Sequence, residues 1–208
     1  MSVLPNRDRQ AERRESTRRE IVDAAWAEAS AVGLASITLR NIAARVGMQA
    51  PSLYSHFASK NAIYDAMFGD AWAAYNAQVG AQRARVTART SARKRLLLMS
   101  EGYFDYAVQN LERYQLMNQR TIPDFTPTDA AYAESLACYR EMVGQFAAMG
   151  VTRSEDVDVY TALIAGLIDQ QLANDRDGDR WRRQLARVMD MFADDLGLPG
   201  PTLTRRTT

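Results

Sequence analysis

Apolar residues along the chain recur at helical spacing, and sustained two-residue alternation is missing. Ile21, Ala25 and Ala29, with Val22 and Trp26 beside them, form one stripe that Gly33 closes. Thr17-Arg-Arg-Glu20 has the form of a capping box, which predicts that this helix starts there. Leu39, Ile42, Ala43 and Val46 recur at i, i+3, i+4 and i+7, between the cap-forming Thr38 and Gly47. A third helix is predicted from about Gln49 to Phe57. Ser59 then opens a longer fourth helix carrying Ile63, Met67 and Trp72.

Further along, the predicted helices lengthen. One spans about Ser91 to Asn110, and a short one covers Leu111 to Gln119. After the proline-bearing connection Thr121–Pro127, Thr126 and Pro127 suit an N-cap and first helical position, for a helix running to Gly150. Thr152-Arg-Ser-Glu155 is a second capping-box form, opening a helix to about Asn174. The last helix spans roughly Arg180 to Leu196, with Gly197 and Pro199 after it. No hairpin turn joins β-rich runs and no internal repeat is visible, so the expectation is an all-α fold of about nine helices.

Two short helices joined by a tight glycine turn make a helix-turn-helix unit. Gly47 suits the positive φ that ends the first helix, and Ala43 lets the second cross closely. Leu53 and Phe57, at i and i+4, are expected to pack back onto Ile42 and Val46. Gln49, Ala50, Ser52, Ser55 and His56 then face outward with Tyr54 at the flank, a set of short groups suited to a major groove. A plain helical hairpin with no DNA role fits the same geometry.

Composition narrows the class. The 208 residues are 47% hydrophobic and 25% charged, as in an ordinary soluble domain. No apolar run approaches the roughly 18 residues of a membrane span, and the first residues contain no secretory apolar segment. Cys138 is the only cysteine. These features lead to the expectation of a cytoplasmic protein with no membrane partner. Net charge is +1, but residues 1–62 carry nine basic and six acidic side chains, whereas the remainder carries 17 and 19. That mild asymmetry alone leaves nucleic acid only as an option.

The run T-L-R-x-I-A-x-x-V-G-x-x-x-x-S-L-Y-x-H-F-x-x-K, within residues 17–65, resembles the DNA-binding signature of the TetR family of bacterial transcriptional repressors. The resemblance implies phosphate contacts by Thr38 and Arg40, recognition-helix contacts by Gln49, Ala50, Ser52, Tyr54, Ser55 and His56, and a phosphate contact by Lys60 at the start of the fourth helix. Ala50 and Ser55 replace larger side chains of some members, so base readout is expected to be sparse. Arg7, Arg9, Arg13, Arg14, Arg18 and Arg19 suit an arm reaching a groove; with Asp8, Glu12 and Glu15 among them, a solvated helix extension fits equally.

His56 is the only histidine, so no zinc set and no separate Ser-His-Asp arrangement can be assembled. Asp175-Arg-Asp-Gly-Asp fails as a calcium loop, since Ala173 and Gln184 fall at ligand positions. No catalytic residue, metal or cofactor is expected.

Large apolar groups crowd residues 90–174, and core is the ordinary explanation for most of them. Met99, Tyr103, Phe104, Tyr114, Phe125, Tyr139 and Phe146, with Asn118, are also candidates to line an apolar cavity. In TetR-like proteins this domain binds a small effector, and the resemblance implies one here, of unidentified structure. On the last two helices, Ile164, Leu167, Ile168 and Gln171, with Trp181, Leu185, Val188 and Phe192, are assigned to a homodimer interface; burial inside one chain is the alternative. The family's dimer is a four-helix bundle of such helices. The resulting division is residues 1–62 for DNA binding, 63–200 for effector binding and dimerisation, and a flexible tail at 201–208. The expected role is that of a homodimeric repressor that binds double-stranded operator DNA at an inverted repeat and is released by a small, largely hydrophobic effector; activation instead of repression is the alternative. An interaction module without operator binding and an enzyme using the C-terminal cavity are the rival classes.

Overall fold

The structure is a computed structural model that describes residues 6–83, 86–87 and 89–200, with side chains described from residue 9 and not for 81–83. The 201–208 tail and the side chain of Arg7 lie outside the described residues. Nine α-helices and no strand occur among the described residues: α1 (Asn6–Val32), α2 (Leu39–Arg45), α3 (Ala50–Leu53), α4 (Lys60–Arg83), α5 (Ala92–Gln109), α6 (Leu111–Asn118), α7 (Asp129–Ala148), α8 (Ser154–Asn174) and α9 (Leu185–Asp195). The all-α expectation holds.

Where boundaries moved, hydrogen bonding explains the shift. Thr17 does not cap α1: its hydroxyl donates to Arg13 O at 3.0 Å, so it lies mid-helix and the charged N-terminal stretch extends the helix back to Asn6. In α7 the cap falls at Thr128 rather than Thr126, with Ala131 N donating to Thr128 Oγ1 at 3.3 Å. At the start of α8 no side-chain cap forms, although the helix has the expected extent. Residues 182–184 form a 3-10 turn, so α9 begins only at Leu185. Ser91 caps α5 as its sequence position allows, accepting from Lys94 N.

The chain divides into two compact units. One comprises Met1–Trp72 with Glu112–Ser135, and the other Ala73–Leu111 with Leu136–Thr208. In the first, Ile21, Ala25, Ala29, Ile37, Ile42, Leu53, Ile63 and Met67 are buried, and α1 and α3 pack on α2. In the second, α5 packs against α8 and α9 around Leu96, Phe104, Phe146, Ile168, Leu185 and Met189.

Candidate nucleic-acid interface

The helix-turn-helix is set by a few local bonds. Thr38 Oγ1 accepts from Asn41 N at 3.1 Å and so caps α2. Gly47, at φ 68°, turns the chain out of α2 in the left-handed region. Pro51 sits in the first turn of α3, where its missing N–H is harmless. Leu53 and Phe57 are buried as expected, together with Ile42, while Val46 is half-buried. The regular part of α3 is shorter than predicted. Beyond Leu53 the backbone continues by i→i+3 bonds from Tyr54, Ser55 and His56 to Pro51, Ser52 and Leu53.

This packing leaves Gln49, Ser52, Tyr54 and Ser55 exposed, with Tyr54 57% accessible. Ala50 and His56 are half-buried, and His56 Nδ1 is shielded with no partner among the described residues. Thr38 and Arg40 are exposed on α2. At the start of α4, Ser59 Oγ accepts from Ala62 N at 3.1 Å, and the half-buried Lys60 holds its ammonium 5.4 Å from the centre of the Tyr64 ring. Tyr64 in turn donates to Leu34 O at 2.6 Å, and burial pushes its phenol up to about 12.

Two supports escaped the periodicity argument. Glu28 is buried on α1 and accepts from Arg45 Nε at 2.7 Å and from Asn41 Nδ2 at 2.6 Å, pinning both ends of α2. The Arg45 bond, then the Asn41 bond, hold its carboxyl below the ordinary 4.5 against the opposing effect of burial. Its sequence signal was an acid at i+3 and i+4 from Ala25 and Ala24, inside the apolar stripe. The second support comes from Arg14 and Arg18, which donate to the carbonyls of Ser55 and His56. Further back, Asp70 Oδ2 on α4 accepts from Trp26 Nε1 at 2.8 Å and Arg113 Nη1 at 2.7 Å, tying α1, α4 and α6 within one unit.

An open groove of about 350 Å³ in the same unit is lined by Glu15, Arg18, Arg19, Asp23, Phe57 and Asp70, among others. Its charged walls are unlike the apolar cavity expected of an effector site, and none of the candidate pocket residues lines it. Those residues are divided between the units. In the first, Tyr114 is buried, Asn118 Nδ2 donates to Tyr114 O at 3.1 Å, and Phe125 lies 5.6 Å from Tyr64, ring to ring. In the second, Tyr103 meets Tyr75 edge-on at 5.2 Å and Phe146 meets Tyr160 at 5.1 Å. Phe104 is buried, Met99 half-buried and Tyr139 45% exposed.

The residues assigned to a dimer interface also separate. Ile164, Leu167, Ile168, Gln171, Leu185 and Phe192 are buried inside the single chain. Within the chain α5 packs against both α8 and α9. Trp181 and Val188 are half-buried. Outside lie Val159, Ala162 and Gly166 at i, i+3 and i+7 on α8, and Met191, 61% exposed, three residues after Val188 on α9. Among the described residues no three His, Cys, Asp or Glu side chains gather to hold a metal ion, and no helix is long and apolar enough to cross a membrane.

Residues 21–67 match the family model of bacterial regulatory proteins, tetR family. No curated protein matches the chain by sequence. Among solved structures, a protein with unknown function from Rhodococcus sp. RHA1 is 20% identical, with a TM-score of 0.69 over 88% of this chain and 95% of that one. A TetR family transcription regulator from Marinobacter aquaeolei VT8 is 14% identical, with a TM-score of 0.64 over 88% and 97%. The multidrug binding protein EbrR, complexed with imidazole, is 19% identical, with a TM-score of 0.62 over 90% and 92%. At these identities the likeness is one of fold.

Proposed function

We propose that this chain, whose N-terminal unit is a helix-turn-helix domain of the tetR family, is a cytoplasmic transcriptional repressor that binds an inverted-repeat operator as a homodimer and is released by a small, largely hydrophobic effector. The observation that carries the reading is the exposed face of Gln49, Ser52, Tyr54 and Ser55, flanked by Thr38 and Arg40, on a segment whose apolar side is anchored by Leu53 and Phe57. Short polar groups and a phenol are suited to base edges and phosphate oxygens, and Lys60 adds a cation at a helix N-terminus.

Residues 1–62 serve DNA reading in this proposal, and 63–200 serve the effector and the dimer. The dimer face comprises Val159, Ala162 and Gly166 of α8, Trp181 in the turn before α9, and Val188 and Met191 of α9. A two-fold axis there would present paired recognition segments roughly one DNA turn, about 34–36 Å, apart. Of the candidates on α5, Met99 and Tyr103 are part-exposed and available to meet an effector, whereas Phe104 is buried. That EbrR, of similar fold, is a multidrug binding protein fits a hydrophobic ligand here. To release DNA, the effector must favour one dimer spacing over the other, a coupling of about 1–3 kcal/mol.

Selection of bound sequences from random double-stranded DNA tests the reading. The expected result is an inverted repeat with half-sites about one turn apart; recovery of no preferred sequence overturns it.

A further inference from the structure

The exposed end of the recognition segment is held from outside itself. Regular α3 is four residues long, and the i→i+3 bonds of Tyr54, Ser55 and His56 leave the carbonyls of Ser55 and His56 beyond its last turn. Such carbonyls need donors, and a cation is favoured at that end of a helix. Both donors come from α1, across 41 and 38 residues of sequence. Arg14 Nη2 donates to Ser55 O at 3.1 Å, and Arg18 Nη1 donates to His56 O. The Arg18 guanidinium also lies 4.1 Å from the centre of the Phe57 ring, the apolar anchor of the segment.

We infer that Arg14 and Arg18 are positioning residues of the DNA-reading surface, acting through the Ser55 and His56 carbonyls rather than by touching DNA. The inference rests on the DNA-binding role proposed above. It separates the basic positions of α1 into two kinds. Arg9, Arg13 and Arg19 are exposed, and Arg19 pairs only loosely with Glu15 at 4.0 Å. Arg14 and Arg18 commit their forks to the recognition segment. Because the side chains of Tyr54, Ser55 and His56 project from the clamped backbone, a small shift there misplaces all three. A guanidinium suits this role because it donates to a carbonyl and stacks on a ring at once, with its charge fixed at every working pH.

The test uses Arg14→Gln, Arg18→Gln and the double variant in the full chain. Binding to the selected operator is titrated by anisotropy over a salt series, and amide exchange of residues 53–57 is followed in the free protein. The double variant is expected to bind the operator about tenfold or more weakly, the scale of losing charge-assisted bonds. Its slope of log affinity against log salt should be unchanged, its non-specific binding unchanged, and exchange at 53–57 faster while α2 is unaltered. Groups that neutralise phosphate would instead lower the salt slope by about one per arginine and weaken all sequences alike. That result, unaltered affinity, or unaltered exchange overturns the assignment. If the double variant does not fold, the exposed Arg14→Gln alone decides by the same readouts. Should the native chain select no DNA sequence, the proposed function falls, while the exchange measurement still decides whether the clamp exists.

Discussion

Tyr54 and Lys60 present two kinds of evidence for one surface. Tyr54 projects into solvent with nothing to do for the core, so Tyr54→Ala should leave the stability from urea unfolding within about 0.5 kcal/mol of native while weakening operator binding in a gel-shift titration at fixed salt. Lys60→Ala should also weaken binding, with the salt slope falling by about one if its ammonium meets phosphate. Glu28 is the opposite case, a polar residue whose work is internal. Its folded-state carboxyl lies below the ordinary 4.5, so the stability it contributes is complete above that value and is lost as pH falls through the lowered one. Urea midpoints measured from neutral to acid pH should therefore decline in the native chain. In Glu28→Gln the starting midpoint should be lower and this part of the decline flatter. Outward Gln49, Ser52 and Ser55 were legible from spacing, since the apolar neighbours dictate which side turns in. The bond partners of Glu28 were not, because Asn41 and Arg45 are distant in sequence and meet it only when α2 packs on α1.

Among the elements, the α8–α9 connection shows how a loop is held by one side chain. Gln171 is fully buried; its Oε1 accepts from Trp181 N at 2.9 Å and Arg182 N at 3.2 Å, and its Nε2 donates to the carbonyls of Asp175 and Gly178. Gln171→Ala removes four hydrogen bonds to part-buried backbone groups and should lower stability by roughly 1–3 kcal/mol in urea unfolding. Next to it, Arg182 reaches Asp105 on α5 at 2.6 and 3.1 Å, so the same turn is tied to the core helix. From sequence this stretch was correctly a polar turn, but the start of the last helix was placed about five residues early. Its polar run has no periodicity, and the choice between α-turn and 3-10 turn was made by contacts with Gln171 and α5. The start of α1 was misplaced for a related reason. A threonine can cap a helix or back-bond inside one, and Thr17 back-bonds.

At the scale of the whole molecule the property at stake is association. Six of the eight residues first assigned to a partner are buried within the chain, which leaves a narrower outer face. Sedimentation at micromolar concentration should give a species of about twice 23.3 kDa, and a 23.3 kDa species would remove the dimer. Val159→Asp with Met191→Asp should shift the native assembly toward monomer without lowering monomer helicity, because both side chains are solvent-facing within the chain. Operator binding should weaken alongside, since each head then meets its half-site alone.

The order of apolar and polar positions by itself determined the all-helical class, the glycine turn and the outward face of the recognition segment. Those properties depend on neighbours within a turn or two, where helical geometry leaves little choice. Tertiary packing alone decided that Arg14 and Arg18 clamp that segment, that Glu28 braces α2, and that Ile164, Ile168 and Leu185 are core. The physical reason is that a periodic stripe marks a side that must be buried without naming what covers it, and a long polar side chain finds its partner only after distant helices meet.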